Sequence, residues 1–355
     1  MGFFVDCYGA ETVFQNEKFL KWYFTSPNEN NSIMDKCIIS ITNDNQIISF
    51  YGGLERLSLY NDNSIPFVWG VNAYTLPEWR GKGLNGGIVR KLMASNEING
   101  VMGMNFKTAK YYEKLGYNMF NLKTLDRYVL LLNNESFSII KSIGQDDKLA
   151  RDLLPLFVNK IFKYDKNIIR LNEYSIEKYL FNFEVDVLLT NKRNKNFIKY
   201  RFINNPFVDY RTYAYLYNNE IVGYVSSKIE ILHPYKFSAY RIIDIYGNEK
   251  YIDSLLKYII NDALQNDSLY IDFSVFGNLY NNTLTENGFI GLQNDYVSLL
   301  PQLTSPIENR SNHGFLGLQS IDYNKDIMKL DNNNVYFTRV DSDSDRLNRL
   351  SQIPH

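Results

Sequence analysis

The glycine-rich stretch V-N-A-Y-T-L-P-E-W-R-G-K-G-L-N-G-G-I-V-R-K-L, Val71 to Leu92, constrains the fold more than any other part of the chain. Its pattern predicts a strand over Phe67 to Tyr74, a turn containing Pro77, and a helix over Leu84 to Ala94. The glycines therefore lie at a helix start, where unpaired N–H groups and the helix dipole attract an anion. We interpret the stretch as a phosphate-binding turn.

Individual residues of this turn support that interpretation. Gly81, Gly83 and Gly86 let the backbone approach a phosphate without side-chain obstruction. Arg80 and Lys82 add positive charge beside them. The alternative is a glycine-rich turn that binds no ligand.

Two common phosphate-binding motifs do not fit the turn. The dinucleotide fingerprint G-x-G-x-x-G needs an acidic residue after the next strand, and Val101 to Lys107 supplies none. The P-loop motif needs Lys-Ser or Lys-Thr after the glycines, and neither follows. The remaining match, Arg80-x-x-Gly83-x-Asn85, resembles the coenzyme A pyrophosphate loop [QR]-x-x-G-x-[GA] of the GNAT acyltransferase superfamily. Asn85 departs from the family's small residue, and Gly86 follows it directly.

A second segment of the same family follows in the expected order. N-F-K-T-A-K-Y-Y-E-K-L-G-Y, Asn105 to Tyr117, resembles the GNAT segment N-x-x-A-x-x-[FY]-Y-E-K-x-G-F with one residue inserted. The resemblance implies that Tyr112 protonates the departing thiolate of coenzyme A as a general acid. The alternative is that Tyr111 and Tyr112 cover an apolar helix face. The family match implies an acyl-CoA site formed by Val71, Ala73, Arg80, Gly81, Lys82, Gly83, Leu84, Asn85, Gly86, Asn105 and Tyr111.

Charge and cysteine content narrow the class of protein. With Lys+Arg 38 against Asp+Glu 39 the net charge is -1, which indicates neither nucleic acid nor a membrane as partner. The longest apolar runs, such as Val129 to Leu132, are too short to span a bilayer, so we expect a cytoplasmic protein. Cys7 and Cys37 lack the spacing of a metal site or a disulfide framework, and we predict no metal.

The order of the predicted elements resembles one GNAT domain over residues 1–133. We predict a helix over Glu17 to Phe24, a hairpin of Cys37 to Thr42 and Ile47 to Leu57, a strand over Val101 to Met104, a helix over Thr108 to Leu115, and a closing strand over Leu125 to Leu132. A polar connection follows, and a helical pattern over Asp147 to Lys163 begins the next domain.

The second part of the chain repeats the first. Y-R-F-I-N-N-P from Tyr200, Y-N-N-E-I-V-G-Y from Tyr217 and L-T-E-N-G-F from Leu284 match segments of the first part at a separation of roughly 170 to 180 residues. The strand Tyr240 to Tyr246 continues into the helix Tyr251 to Leu264 without a glycine-rich loop. We therefore predict that this copy binds no coenzyme A and helps to form an acceptor pocket at the domain interface.

The predicted fold class is α/β (α+β), with two tandem GNAT-like domains, each a mixed, mostly antiparallel sheet flanked by helices. Residues 1–133 carry the acyl-CoA site, 134–310 form the degenerate copy, and 311–355 form a tail that packs on both. The tail contains D-S-D-S-D, which lacks the glycine and the distal glutamate of a calcium loop. This tail resembles that of tandem GNAT proteins that modify bacterial surface polysaccharides. A solvated polar turn is the alternative.

The resemblance implies an N-acyltransferase that moves an acetyl or 3-hydroxybutyryl group from acyl-CoA to a dTDP- or UDP-linked amino-dideoxy sugar by direct transfer. A backbone N–H within Trp69 to Ala73, the stretch that contains Asn72, is expected to bind the oxyanion. Glu55 and Asp244 are the best carboxylates by position for a base, although surface or hairpin-end charges are the simpler explanation for both. The open alternatives are a peptide or aminoacyl acceptor and a non-catalytic acyl-CoA-binding protein. A homodimer stays open.

Overall fold

In a computed structural model of the chain, residues 2–25, 34–132, 160–232, 237–292, 303–304, 307–308 and 314–353 are described. Their main feature is a 15-stranded mixed sheet with helices packed on it. Most strand pairs are antiparallel, so the predicted α/β fold class with a mixed, mostly antiparallel sheet is confirmed. None of the described helices combines the length and the apolar composition that a bilayer crossing requires.

The first half of the chain contains the predicted elements and one further helix, α1 (Gly2–Tyr8), that was not predicted. They are α1 Gly2–Tyr8, α2 Glu17–Tyr23, β1 Ile38–Ile41, β2 Ile47–Tyr60, β3 Asn63–Thr75, α3 Leu84–Ala94, β4 Ile98–Met104, α4 Phe106–Lys114 and β5 Asp126–Leu131. Side chains cap two of these helices. Asn16 accepts a hydrogen bond from the Phe19 N–H at α2, and Asn105 accepts one from the Thr108 N–H at α4.

The second half continues the sheet. Its elements are β6 Ile168–Arg170, α5 Glu173–Lys178, β7 Leu180–Phe181, β8 Leu189–Asn191, α6 Lys195–Ile198, β9 Arg211–Tyr217, β10 Glu220–Leu232, β11 Phe237–Gly247, α7 Glu249–Gln265, β12 Ser268–Phe276, α8 Asn281–Glu286, β13 Ile290–Leu292, β14 Leu303–Thr304, β15 Ile307–Glu308, β16 Phe315–Ser320, α9 Asn324–Ile327 and β17 Val335–Thr338. Most of the helix predicted over residues 147–163 lies outside the described residues.

Both halves contain the same local arrangement. In the first, β2 and β3 are antiparallel, α3 crosses over, and β4 returns parallel to β3. In the second, β10 and β11 are antiparallel, α7 crosses over, and β12 returns parallel to β11. This agreement is what a duplicated sequence leads one to expect. The domain boundaries themselves stay predictions.

The two halves exchange strands. β5, which we expected to close the first half, pairs with β12 of the second half from Asp126↔Val275 to Leu131↔Tyr270. In return, β16 from the C-terminal part pairs with β4 of the first half. Between them, β8 pairs with β2 and β17, and β17 pairs with β12. The sheet is therefore continuous across both halves, and part of the predicted tail forms sheet strands.

A buried arginine links the C-terminal tail to the second half of the sheet. Arg193 is almost fully buried and donates hydrogen bonds to Asp341 at 2.5 and 2.7 Å and to Asp244 at 3.1 Å. Asp345, four residues after Asp341, contacts the Lys228 ammonium at 2.7 Å and the Arg201 guanidinium at 3.2 Å. Asp341 and Asp345 are 0% and 4% exposed, so for them the alternative of a solvated polar turn is wrong.

We expect Arg193→Met to lower the free energy of unfolding by about 3–5 kcal/mol, because it leaves two buried carboxylates without their shared cation. Equilibrium unfolding in guanidinium chloride measures the change. The matched control is Lys329→Met, since the Lys329 side chain is 77% exposed and its ion pair with Asp326 is long, at 3.5 Å. Equal stability losses in the two variants would contradict a structural role for the Arg193 network.

Candidate functional site

A groove with a volume of about 1040 Å³ lies between the start of α3, the end of β3 and the length of α4. The two segments that the sequence singled out therefore form opposite walls of one cavity. The lining residues are Ala73, Thr75, Trp79, Arg80, Gly81, Gly83, Leu84, Asn85, Gly86, Phe106, Lys107, Thr108, Lys110, Tyr111, Tyr112 and Lys114.

The start of α3 presents unpaired backbone N–H groups to this groove. Gly83 precedes the helix in the left-handed conformation, with φ 77°, and no side chain caps the helix. The first helical hydrogen bond runs from the Gly87 N–H to the Gly83 carbonyl at 3.1 Å, so the N–H groups of the first turn have no acceptor within the helix. Free N–H groups at a helix start are an anion-binding arrangement.

The charge of the groove has one sign. Among the described lining residues, Arg80, Lys107, Lys110 and Lys114 are basic and none is acidic. Arg80 is held in place, because its Nε donates to the Thr75 carbonyl at 3.0 Å and its guanidinium lies 5.1 Å from the ring centroid of Tyr74. The groove therefore suits an extended ligand with several negative charges.

Tyr112 lies at the buried end of the groove. Its side chain is 3% exposed, and its hydroxyl is hydrogen-bonded to the Tyr51 hydroxyl at 3.0 Å. Burial raises the pKa of Tyr112 to about 12; the hydrogen bond with Tyr51 opposes this rise and the nearby Tyr111 adds to it. The Tyr112 hydroxyl is therefore protonated at neutral pH and can act as a hydrogen-bond donor.

β3 and β4 diverge beside the groove. Their parallel pairing runs from Phe67↔Ile98 to Gly70↔Val101, although β3 continues to Thr75 and β4 to Met104. β3 contains a bulge just after the end of its pairing with β4. Its register with β2 changes between Gly52↔Val71 and Phe50↔Tyr74, and Asn72 in this stretch has φ 54°. A bulge re-aims backbone groups and is common beside active sites. The bulge lies within the stretch that the sequence predicted as the oxyanion-binding strand.

The structure brings most of the predicted coenzyme A residues together and leaves others outside the groove lining. Ala73, Arg80, Gly81, Gly83, Leu84, Asn85, Gly86 and Tyr111 line the groove with Tyr112. Val71 is buried, the Lys82 ammonium lies 4.2 Å from the Trp79 ring centroid, and Asn105 caps α4.

The two carboxylates predicted from the sequence lie elsewhere. Glu55 is on β2, with an oxygen 3.9 Å from the Lys36 ammonium. Asp244 was expected to face an interface pocket, but it is fully buried and hydrogen-bonded to Arg193, Tyr224 and Thr338. An engaged, buried carboxylate has no access to an acceptor, so its position corrects that expectation.

Sequence reasoning missed several groove residues. Lys107, Lys110 and Lys114 recur at the spacing of one helix face, a signal that was available in the sequence. Tyr51, which contacts Tyr112 from outside the groove lining, gave no such signal, because it lies 61 residues from Tyr112 and only the fold joins the two hydroxyls. Within the described ranges, no group of three or more His, Cys, Asp or Glu side chains is arranged to hold a metal ion.

Comparisons with known proteins show a similarity of fold. No protein-family model matches the chain, and no curated protein matches it. Among solved structures, Saccharomyces cerevisiae N-myristoyltransferase with bound myristoyl-CoA is similar with a TM-score of 0.53 over 84% of this chain and 72% of that one, at 12% identity. A conserved protein from Enterococcus faecalis V583, described as a probable N-acyltransferase, is similar with a TM-score of 0.51 over 90% and 68%, at 13% identity. The chain shares its fold with these proteins.

We expect Gly83→Ala to weaken coenzyme A binding roughly tenfold, because a Cβ in the left-handed conformation costs about 1–2 kcal/mol and moves the N–H groups of the first turn. Calorimetric titration with coenzyme A measures the effect. Gly87→Ala is the matched control. Neither glycine has an atom within 4 Å of its added Cβ, but only Gly83 has a positive φ. Equal affinities in the two variants would contradict the anion site at α3.

Proposed function

We propose that the chain is an acyl-CoA-dependent N-acyltransferase that transfers a short acyl group, acetyl or 3-hydroxybutyryl, to the amino group of a dTDP- or UDP-linked amino-dideoxy sugar. One observation carries the proposal. A groove with four basic and no acidic lining residues joins an uncapped helix start to a buried tyrosine hydroxyl. Acyl-CoA has the matching chemistry, with a pyrophosphate and a further phosphate at one end and a thioester at the other.

The ligand's orientation follows from the two ends of the groove. The pyrophosphate binds the N–H groups at the start of α3, where the dipole is positive. Lys107, Lys110 and Lys114 on α4 face the same phosphates. The pantetheine arm runs along the free edge of β3 beside Ala73, where the pairing with β4 has ended. The thioester then lies near Tyr112.

Tyr112 acts on the departing sulfur as a hydrogen-bond donor. The amine attacks the thioester carbonyl, the oxyanion accepts a backbone N–H at the β3 bulge, and the C–S bond breaks. With its pKa at about 12, Tyr112 is a much weaker acid than a thiol of pKa about 8.5, so complete proton transfer to the thiolate is uphill by about 5 kcal/mol. A hydrogen bond stabilises the thiolate without that cost, and the thiolate takes its proton from the attacking nitrogen.

The buried end of the groove supports a short acyl group. The Tyr51 hydroxyl fills the space beside Gly70 that the Cβ of any other residue would occupy. This hydroxyl is hydrogen-bonded to that of Tyr112. A long apolar chain in this place would separate these hydroxyls from polar partners, which is unfavourable. An acyl group with its own hydroxyl, such as 3-hydroxybutyryl, can form a hydrogen bond in place of the one between Tyr51 and Tyr112. The choice of a sugar acceptor rests on the resemblance of the tail.

Tyr112→Phe is expected to lower kcat by about 10–100-fold with little change in coenzyme A affinity, because one hydrogen bond to a developing charge contributes about 1.5–3 kcal/mol. The loss should be constant from pH 6 to 9, since the pKa of about 12 keeps Tyr112 protonated throughout. Steady-state kinetics measure both. The control is Tyr60→Phe, a buried tyrosine outside the groove lining. Full turnover by the Tyr112 variant would remove Tyr112 from the mechanism.

A thiol-release assay tests the function itself. Acetyl-CoA, 3-hydroxybutyryl-CoA and myristoyl-CoA are each combined with dTDP- and UDP-linked amino sugars, and thiol release is expected with a short acyl donor and an amino sugar. Preference for myristoyl-CoA would contradict the short acyl group. Silence with intact coenzyme A binding would favour a peptide or aminoacyl acceptor or a non-catalytic protein. Absence of coenzyme A binding would contradict the acyltransferase proposal.

A further inference from the structure

Of the three carboxylates in the D-S-D-S-D segment of the tail, two are buried in ion pairs and one is partly exposed. Asp341 is bonded to Arg193 and to the Thr338 N–H, and Asp345 contacts Lys228, Arg201 and Tyr210. These two side chains anchor the turn at both ends. Asp343 lies between them with 23% of its side chain exposed. Its contacts with Arg346 and Ser342 are long: 3.5 Å to the Arg346 Nε and 3.4 Å from the Ser342 hydroxyl.

This turn lies against the gap between β3 and β4. The Ser344 hydroxyl is 3.5 Å from the position of a Cβ on Gly103, in the part of β4 that no longer pairs with β3. Arg346, which contacts Asp343, is held with its guanidinium 5.1 Å from the Phe14 ring centroid. The anchored turn therefore places Asp343 beside the region where the thioester carbonyl would lie.

Two buried polar side chains lie next to each other in the same region. The Asn72 side chain at the β3 bulge lies within hydrogen-bonding reach of the Tyr23 hydroxyl, and Tyr23 is 8% exposed. Neither the Tyr23 hydroxyl nor the Asn72 Nδ2 has another partner among the described residues. Burial raises the pKa of Tyr23, the Asp343 carboxylate adds to the rise, and the Arg346 guanidinium and the Asn72 side chain oppose it. Burial also raises the pKa of Tyr8; the Arg346 guanidinium opposes this rise and the Asp343 carboxylate adds to it. Ring contacts agree with this proximity, because Arg346, the ion-pair partner of Asp343, lies over the Phe14 ring, whose centroid is 5.9 Å from that of Tyr8 and 5.8 Å from that of Tyr23.

When Asn72 donates one N–H to Tyr23, the Tyr23 O–H and the second N–H of Asn72 remain available, and a buried donor without an acceptor favours a polar ligand. An amine beside a carboxylate and near hydroxyl and amide groups fits this composition. The side chains of Ala73 and Asn72 also differ in surroundings: Ala73 lines the basic groove, whereas Asn72 lies near Tyr23. The acyl donor and the amine therefore have separate approaches to one gap.

We propose that Asp343 is a catalytic residue that binds the acceptor's amino group and receives its proton, with Tyr23 and Asn72 orienting the acceptor. The inference rests on the proposed N-acyltransferase function. As the amine's lone pair forms the C–N bond, positive charge develops on nitrogen, and Asp343 stabilises it. The C–S bond then breaks and its electron pair leaves with sulfur.

The protons balance in this scheme. A neutral primary amine brings two N–H protons, and the amide product keeps one. The other passes from the nitrogen to Asp343 when the C–S bond breaks, because an N-protonated amide is a strong acid. Asp343 then passes this proton through water to the thiolate, which leaves as a thiol. The net reaction converts amine and thioester into amide and thiol with no further reactant.

Asp343→Asn tests the proposal in the full chain. The expected result is a fall in kcat of at least about 100-fold with the best acceptor of the thiol-release assay, while coenzyme A affinity and Tm stay unchanged. Asp343→Glu is expected to recover part of the activity. Asp322→Asn, an exposed aspartate of the same C-terminal region, is the control that keeps full activity. Unchanged kcat in Asp343→Asn, or a fall in Tm and coenzyme A affinity that accounts for the loss, would overturn the proposal.

A second readout needs no turnover. With coenzyme A present, calorimetry compares the panel's amino-sugar nucleotides with counterparts that have a hydroxyl in place of the amine. The wild-type protein is expected to bind the amine more tightly, and Asp343→Asn to lose that preference. Absence of any preference in the wild type would overturn the role of Asp343 while coenzyme A binding stays intact, whereas failure to bind coenzyme A would instead contradict the proposed function.

Discussion

The interaction on which the rest of the structure depends is the buried guanidinium of Arg193, shared by Asp244 of β11 and Asp341 of the tail. A buried charge is tolerable only when it is paired and fully hydrogen-bonded, so these three residues must assemble together. Their assembly fixes the tail against the second half and brings β17 between β8 and β12. Because the strands are also exchanged through β5 and β16, neither half completes its sheet without the other.

This constraint has a consequence for the candidate site. β16 pairs with β4 from Ile98 to Met104, so it also supports the part of β4 from Met102 onward that no longer pairs with β3. The same tail then carries the D-S-D-S-D turn to Gly103. A catalytic group must be held to within a fraction of an ångström, and the buried anchors Asp341 and Asp345 give the intervening residue that rigidity. Stability and the position of the site thus share one set of contacts.

The sequence predicted what depends on neighbouring residues and missed what depends on distant ones. The bounds of α3 match the prediction, because glycines and helical periodicity act within a few residues. The two groove segments were predicted separately, by motif. The strand pairing of Met104 with Phe315, and the ion pair of Arg193 with Asp341, join residues far apart in the chain, and no local pattern encodes them. For the same reason the sequence left a solvated turn open as an alternative for the D-S-D-S-D segment, since its buried cationic partners lie more than a hundred residues earlier.

The contrast between the two equivalent helix starts explains why only one half carries the basic groove. At α3, Gly83 leaves the first turn uncapped, and the first turn has no acidic residue. At α7, Asn248 accepts the Lys250 N–H, and Glu249 places a negative charge in the first turn. The Tyr280 hydroxyl further fills the approach by bonding both the N–H and the carbonyl of Gly247. An anion at α7 would meet satisfied donors and a like charge, whereas at α3 it meets free donors and Arg80. One strand-helix-strand architecture thus leaves the helix start open at α3 and blocks it with Tyr280 at α7.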